Sequence, residues 1–216
     1  MRSSEILERL LIRRPELLAC RGAIEAAAVA MEDTYRRGSK VLICGNGGSA
    51  ADGDHMVGEL MKGFLADRGI PEDHRKSFQE LWGEEGREIA GRLQRAIPAI
   101  SLAAQVPLIT AVVNDIGADL IFAQQVYGYG APGDVLVAIS TSGNSLDVVR
   151  AVQVARVIGM KTIGMAGKDG GRLHGMCEVS IRVPYGQAAE IQEAHEAVYH
   201  ALCAMVEADL FGRDEE

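Results

Sequence analysis

The chain has 216 residues, is 48% hydrophobic and 5% aromatic, contains 25 glycines and carries a formal net charge of −8. That length and apolar content suffice for one well-buried core, so a single domain over residues 1–216 is expected. The acidic balance, with no basic patch, argues against nucleic-acid binding, and no apolar run approaches membrane-spanning length.

The opening residues carry no apolar signal core, and a cytoplasmic, soluble protein is expected. Cys20, Cys44, Cys177 and Cys203 are widely spaced, each in or beside an apolar run, and no pair has CxxC spacing. Reduced, buried thiols fit that pattern. Ile6, Leu7, Leu10 and Leu11 predict a helix over Ser4–Ile12, and Pro15 suits the first turn of a second helix reaching about Arg37. Such an N-terminal pair packs either internally or against a partner subunit.

Lys40–Cys44 is a short apolar run that reads as a buried parallel strand. Asn46, Gly47, Gly48 and Ser49 then make a tight loop into a helix on which His55 and Glu59 share a face. Between about 65 and 95 the composition turns strongly charged, with Trp82 among the charges and Gly83 and Gly86 interrupting an amphipathic pattern. This reads as an insertion over the core, either a solvated excursion or a lid.

Ala96–Leu102 is a second strand candidate, while Pro107–Val113 is apolar and β-branched and ends in Asn114-Asp115. Ala118–Tyr127 reads as helix, Asp134–Ile139 as a buried strand, Leu146–Ile158 as helix, Lys161–Met165 and Glu178–Val183 as strands. A long helix runs from Gln187 to about Phe211. Strands alternating with helices predict an α/β fold: a five-stranded parallel sheet with helices on both faces. Ligands bind such sheets at the carboxyl ends of the strands, where both small polar loops fall.

The first loop satisfies G-x-G-x-x-A from Gly45 to Ala50, but the acidic residue expected about 20 positions on falls near Asp67, inside the insertion. A dinucleotide is therefore disfavoured. Ser140, Thr141, Ser142 and Ser145 offer a run of hydroxyls around Gly143-Asn144, ahead of a helix N-terminus. Hydroxyls and free backbone N–H groups bind a phosphate dianion without Lys or Arg. A plain helix cap needs only one of them.

On the last helix Gln192, Glu196 and His200 form one stripe, with His195 and Tyr199 beside it, in an otherwise apolar segment. A buried polar stripe needs partners. His55 and Glu59 can supply them, two imidazoles, a carboxylate and an amide can hold Zn²⁺, and a hydrogen-bond network or a solvent-facing edge are the remaining readings.

Taken together, these ordered motifs carry a resemblance. The chain resembles the sugar-isomerase (SIS) domain family, and within it the phosphoheptose isomerases, over nearly everything outside roughly 65–95. The matching segments are Gly45–Ser49, His55 with Glu59, Asn114-Asp115, Ser140–Ser145, Gly167–Gly171 and Ile191–His200. The resemblance implies a three-layer α/β/α flavodoxin-like fold in a homotetramer with active sites at subunit interfaces. It implies isomerisation of sedoheptulose 7-phosphate to D-glycero-D-manno-heptose 7-phosphate through a cis-enediolate, as in heptose and lipopolysaccharide biosynthesis.

Residue by residue, Ser140, Thr141, Ser142 and Ser145 match the phosphate loop, and Asn46, Gly47, Gly48, Asn114 and Asp115 match positions lining the sugar. Glu59 and His200 match the acid/base pair. His55, Glu59, Gln192 and His200 match the positions that hold one Zn²⁺ per subunit in members that contain it. Glu59 and Gln192 thereby also face the substrate. The alternative is a non-catalytic SIS module that senses a sugar phosphate or associates with the replication initiator; such modules need not keep Glu59 and His200. An etherase or amido-sugar isomerase would usually be longer or duplicated. Two departures stand out: the long charged connection before Asn114, and Lys62-Gly63 where members often carry an Arg, whose bidentate fork a lysine lacks.

Overall fold

A computed structural model describes residues 1–212 of the chain. The elements run α1 (Ser3–Arg13), a 3₁₀ segment (Pro15–Cys20), α2 (Arg21–Arg36), β1 (Val41–Gly45), α3 (Gly48–Met61), α4 (Glu72–Arg92), β2 (Ala99–Ser101), α5 (Val106–Asp115), a 3₁₀ turn (Ala118–Leu120), α6 (Ile121–Tyr129), β3 (Val135–Ile139), α7 (Leu146–Val157), β4 (Lys161–Ala166), α8 (Gly171–Met176), β5 (Val179–Arg182) and α9 (Ala188–Phe211). The five strands pair in the order β2-β1-β3-β4-β5, and every pairing is parallel. This is the flavodoxin-like order, with its switch point between β1 and β3.

Alternate strand residues feed two separate cores, as the pleat requires. Val41, Ile43, Val137, Ile163 and Ile181 pack with α1, α2, α3 and α9 on one face. Leu42, Cys44, Leu136 and Ala138 pack with α6 and α7 on the other. The central strands β1 and β3 are buried along their whole length, which is why they read as continuous apolar runs.

The apolar run after β2 forms the helix α5: Pro107 sits in its first turn, and Val112 alone is buried. The segment from Pro15 is likewise split, with a 3₁₀ stretch before the α-helix proper begins at Arg21.

The charged insertion folds as α4 and is bent at Gly83, whose φ of 59° lies in the region glycine alone visits readily. Only Gly86 and Ala90 are buried along it, whereas Leu81 and Trp82 stand in solvent. Its base is closed by an antiparallel bridge between Gly69 and Gln94 and by Arg95 N–H donating to the Arg68 carbonyl at 2.6 Å. The burial fits a solvated excursion better than a lid. Among the described residues, no helix is long and apolar enough to cross a membrane.

Candidate active site

The two small polar loops leave the carboxyl ends of β1 and β3, on either side of the switch point. They are tied together: Asn46 Nδ2 donates to both carboxylate oxygens of Asp147, at 3.0 and 2.9 Å. Asp147 opens α7, directly after the hydroxyl loop.

In that loop Ser140 Oγ and Ser145 Oγ are 3.0 Å apart, and the Asn144 N–H and amide both close back onto Ser142. The loop is braced by its neighbour. Gly167 N–H donates to the Thr141 carbonyl at 2.9 Å, Leu173 N–H to the Gly143 carbonyl at 3.1 Å, and Arg172 N–H to Asn144 Oδ1 at 3.0 Å. Gly143, at φ 67°, packs so tightly on Gly170 that a side chain would run into its carbonyl. A rigid hydroxyl-lined loop at a helix N-terminus is an anion cradle that binds through dipoles rather than cations.

The second half of the site comes from α3 and α9, packed side by side on the same sheet face. His55 and His200 meet with their Nε2 atoms 3.4 Å apart and their rings edge to face at 4.8 Å. His55 Nε2 is also 3.3 Å from Glu59 Oε1, and Lys62 Nζ is 3.1 Å from Glu59 Oε2. Tyr199 Oη lies 3.0 Å from His55 Nδ1, and Phe64 stacks on the His200 ring. The Gln192 amide lies against Gly48, beside the first loop. Glu59, His55, Gln192 and His200 are thus brought onto one wall. Asn114 and Asp115 lie at the exposed end of α5, joined to each other by a 2.7 Å hydrogen bond. Among the described residues no hydrogen bond links them to the histidines.

Burial, then the neighbouring His55, lowers the affinity of His200 for a proton, against the pull of Glu196 and Glu59. A neutral imidazole of this kind can accept and return protons or ligate a metal. Asp52, one turn before His55, is raised to about 6 by burial and then by the charge of Glu196. The wall is therefore rich in carboxylates.

Among the described residues, His55, Glu196 and His200 form a group whose donor atoms all lie within 4.8 Å of one another. Two imidazole nitrogens 3.4 Å apart match the about 3.3 Å separation that tetrahedral Zn–N bonds of about 2.0–2.1 Å require. The donor set fits a divalent cation of this type.

Several residues here had no role legible in the sequence. Glu196 was visible only as a member of a stripe, and Tyr199 only as its neighbour. The partner of Asn46, Asp147, gave no signal. Nor did the wholly buried pair of Arg68 and Glu207, 2.6 Å apart. Arg68 also donates to the carbonyls of Leu60 (2.7 Å) and Glu59 (3.1 Å), so it holds the end of α3 that carries Glu59. Glu207 accepts from the backbone N–H groups of Phe64, Leu65 and Ala66.

The profile of the SIS domain family matches residues 78–167. The phosphoheptose isomerase of Rhodospirillum rubrum is 42% identical over 188 residues, 87% of this chain and 86% of that protein. The phosphoheptose isomerase of Geobacter sp. strain M21 is 40% identical over 189 residues, 88% of this chain and 85% of that protein. Among solved structures, a phosphoheptose isomerase from Francisella tularensis superposes with a TM-score of 0.71 at 31% identity, covering 93% of this chain and 97% of that one. The phosphoheptose isomerase of Neisseria gonorrhoeae gives 0.69 at 31% identity, covering 95% and 91%.

Proposed function

Since the chain belongs to the phosphoheptose isomerase family of SIS-domain proteins, we propose that it is an aldose–ketose isomerase converting sedoheptulose 7-phosphate to D-glycero-D-manno-heptose 7-phosphate. The observation that carries this reading is the contact of His55 with both Glu59 and His200, which joins a carboxylate base on α3 to an imidazole on α9. The braced hydroxyl loop after β3 supplies a cradle for the phosphate.

The chemistry needs two kinds of proton movement. A base takes a proton from C1 of the ketose, the C1–C2 bond becomes the double bond of a cis-enediolate, and a proton is then delivered to C2. Meanwhile the O1 hydroxyl proton leaves and C1 becomes the aldehyde carbon, while O2 gains a proton and becomes a hydroxyl. Glu59 is assigned the carbon-bound proton, since its carboxylate sits on the wall at low exposure with Lys62 against its outer oxygen. His200 is assigned the oxygen-bound protons, because burial and the neighbouring His55 favour its neutral imidazole, the form that can accept a proton. Each step of this type contributes roughly 10²–10⁴-fold in rate.

Ser140, Thr141, Ser142 and Ser145 are assigned to the phosphate, and Asn46, Gly47, Gly48, Gln192, Asn114 and Asp115 to the sugar hydroxyls. Asn46, held by Asp147, and Gln192, lying over Gly48, support the first part of that sugar set. A Zn²⁺ ion would be held by His55 and His200, with Glu59 and Gln192 the further ligands that the family resemblance suggests. When bound, it supplies Lewis-acid stabilisation of the enediolate oxygens. We read the whole chain as one SIS domain acting as a homotetramer in the cytoplasm. Exposed Ile12, Leu18 and Val29 on the N-terminal helical segments support assembly, and four free cysteines support a reducing compartment.

The test is deuterium uptake at C1 of sedoheptulose 7-phosphate in D₂O, followed by NMR, with wild type and Glu59→Gln. Wild type exchanges and forms the aldose; Glu59→Gln loses the exchange while folding normally. Tight binding of the sugar phosphate with no exchange by wild type would count against an enzyme.

A further inference from the structure

Asp147 takes no part in the chemistry assigned above, yet it sets a carboxylate two residues beyond Ser145, beside the hydroxyl loop. A negative charge there repels a dianion and weakens the cradle's hold on phosphate. Capping α7 does not call for it, since Ser145 already occupies the N-cap position. The carboxylate is engaged instead with Asn46, 101 positions away. Both its oxygens accept from Asn46 Nδ2, at 3.0 and 2.9 Å, and Oδ1 also accepts the Val148 N–H at 2.9 Å. The side chain is thus seated on the first turn of α7 while it holds the loop after β1.

We infer that Asp147 is a positioning residue: it fixes the Asn46 amide with Nδ2 toward α7 and Oδ1 left to accept from a sugar hydroxyl, so that the site reads the sugar as well as the phosphate. The sugar as ligand rests on the sugar-phosphate reading above; the orientation of Asn46 does not.

Three arguments carry it. A carboxylate offers acceptors only, whereas a hydroxyl or a second amide offers donors as well. Opposite Asp147 the Asn46 amide therefore has a single favourable orientation, because turned over its Oδ1 would face two acceptor oxygens at about 3 Å. An asparagine in place of Asp147 could not impose that choice. Next, among the described residues no hydrogen bond reaches Asn46 Oδ1. Asn46 is exposed at the carboxyl end of β1, two residues before the Gly48 on which the Gln192 amide lies. A ligand hydroxyl there meets an acceptor that is ordered before it arrives, which lowers the cost of binding. Finally, the bond crosses the switch point. It joins the loop assigned to the sugar to the helix that follows the phosphate loop, and holds the two half-sites at one separation.

The experiment is a double-mutant cycle on the full chain. Calorimetry measures binding of inorganic phosphate and of the heptitol 7-phosphate made by reducing the ketose, which cannot isomerise. It compares wild type, Asn46→Ala, Asp147→Ala, Asp147→Asn and the double variant Asn46→Ala/Asp147→Ala, each checked by circular dichroism and melting temperature. Asn46→Ala and Asp147→Ala should each weaken the heptitol phosphate by about 10-fold, the worth of one hydrogen bond. Inorganic phosphate should bind Asp147→Ala no more weakly than wild type, since a like charge has been removed. The double variant should lie within about threefold of Asn46→Ala, because a residue acting through another adds nothing once that other is gone. Asp147→Asn, which keeps an acceptor without fixing the amide, should fall between wild type and Asp147→Ala. Additive losses in the double variant, about 100-fold together, would overturn the inference. So would wild-type binding of the heptitol phosphate by Asp147→Ala, or an equal loss of both ligands, which marks a disturbed cradle instead. A cycle that behaves as expected in a wild type that does not isomerise the ketose would uphold Asp147 and sink the isomerase reading.

Discussion

Tyr199 Oη lies 3.0 Å from His55 Nδ1, and this hydrogen bond decides which nitrogen His55 turns toward His200. The tyrosine is buried to 1% exposure, so its ring is fixed by packing and its hydroxyl can serve only that one imidazole face. Burial and the nearby carboxylates raise its proton affinity, so it stays a neutral phenol able to donate or accept. Tyr199→Phe should keep the fold, with a stability change of about 1 kcal/mol, and lower both kcat and Co²⁺ affinity by about tenfold. Steady-state kinetics beside calorimetry separates this from a packing effect, which would shift the melting temperature and leave both readouts alone.

The hydroxyl loop predicts a different signature. Ser140 and Ser145 touch each other at 3.0 Å and are assigned the same phosphate. Removing either hydroxyl should raise KM for the sugar phosphate by about 10- to 100-fold, the worth of a hydrogen bond to a charged group. The kcat value should change little, because the phosphate is bound equally in ground and transition states. Ser140→Ala and Ser145→Ala should also weaken competitive inhibition by inorganic phosphate. A fall in kcat at unchanged KM would take the phosphate away from this loop.

The Arg68–Glu207 pair predicts a stability effect that reaches the site. Both side chains are inaccessible to solvent, so truncating either leaves an uncompensated buried charge at a cost of about 3–5 kcal/mol. Glu207→Ala should lower the urea midpoint accordingly. In many buried pairs, replacing both partners with apolar residues restores stability. Here the double variant Arg68→Met/Glu207→Leu should recover only partly, because Phe64, Leu65 and Ala66 would still lack an acceptor for their N–H groups. The freed carbonyls of Glu59 and Leu60 should also loosen the end of α3, so the double variant should isomerise more slowly than its stability implies.

His195 sets a pH dependence. It is completely buried beside the backbone of Ala166, and neither nitrogen has a well-formed hydrogen bond. Burial lowers it from the usual 6.5 to about 4. The unfolded chain therefore takes up this proton at a higher pH than the folded one. Above pH 6.5 the residue contributes no slope; from 6.5 down to about 4 it costs stability progressively, by about 3 kcal/mol in all. Urea unfolding at steps between pH 7 and 4 should show this loss in wild type. The loss should be smaller by that amount in His195→Leu, which has no proton to bind.

Much of this protein was legible locally. Val41–Cys44 and Val135–Ile139 are uninterrupted apolar runs because central parallel strands are covered on both faces, so each announces itself without reference to the other. The loops that follow them were equally plain, since small and hydroxylated residues at a strand-to-helix turn have few purposes. The run Pro107–Val113 was ambiguous for the opposite reason: β-branched residues suit a strand, while Pro107 suits the first turn of the helix it opens. In the insertion, Gly83 marked the bend, but the exposure of Leu81 and Trp82 depended on how far α4 projects from the core.

What the amino-acid order determined by itself was the five strands, the helices between them and the residue types available at each strand end, because these follow from periodicity and chain chemistry over a few residues. What the tertiary structure alone decided was which of those residues meet. His55 and His200 are separated by 145 positions, as are Arg68 and Glu207 by 139, and no local pattern encodes such a pairing. It arises when α3 and α9 pack side by side on one face of the sheet, at a register set by the summed burial of their apolar residues. That register turned a polar stripe on the last helix into one wall of a site, and gave Glu196 the two imidazoles it lacks in the sequence.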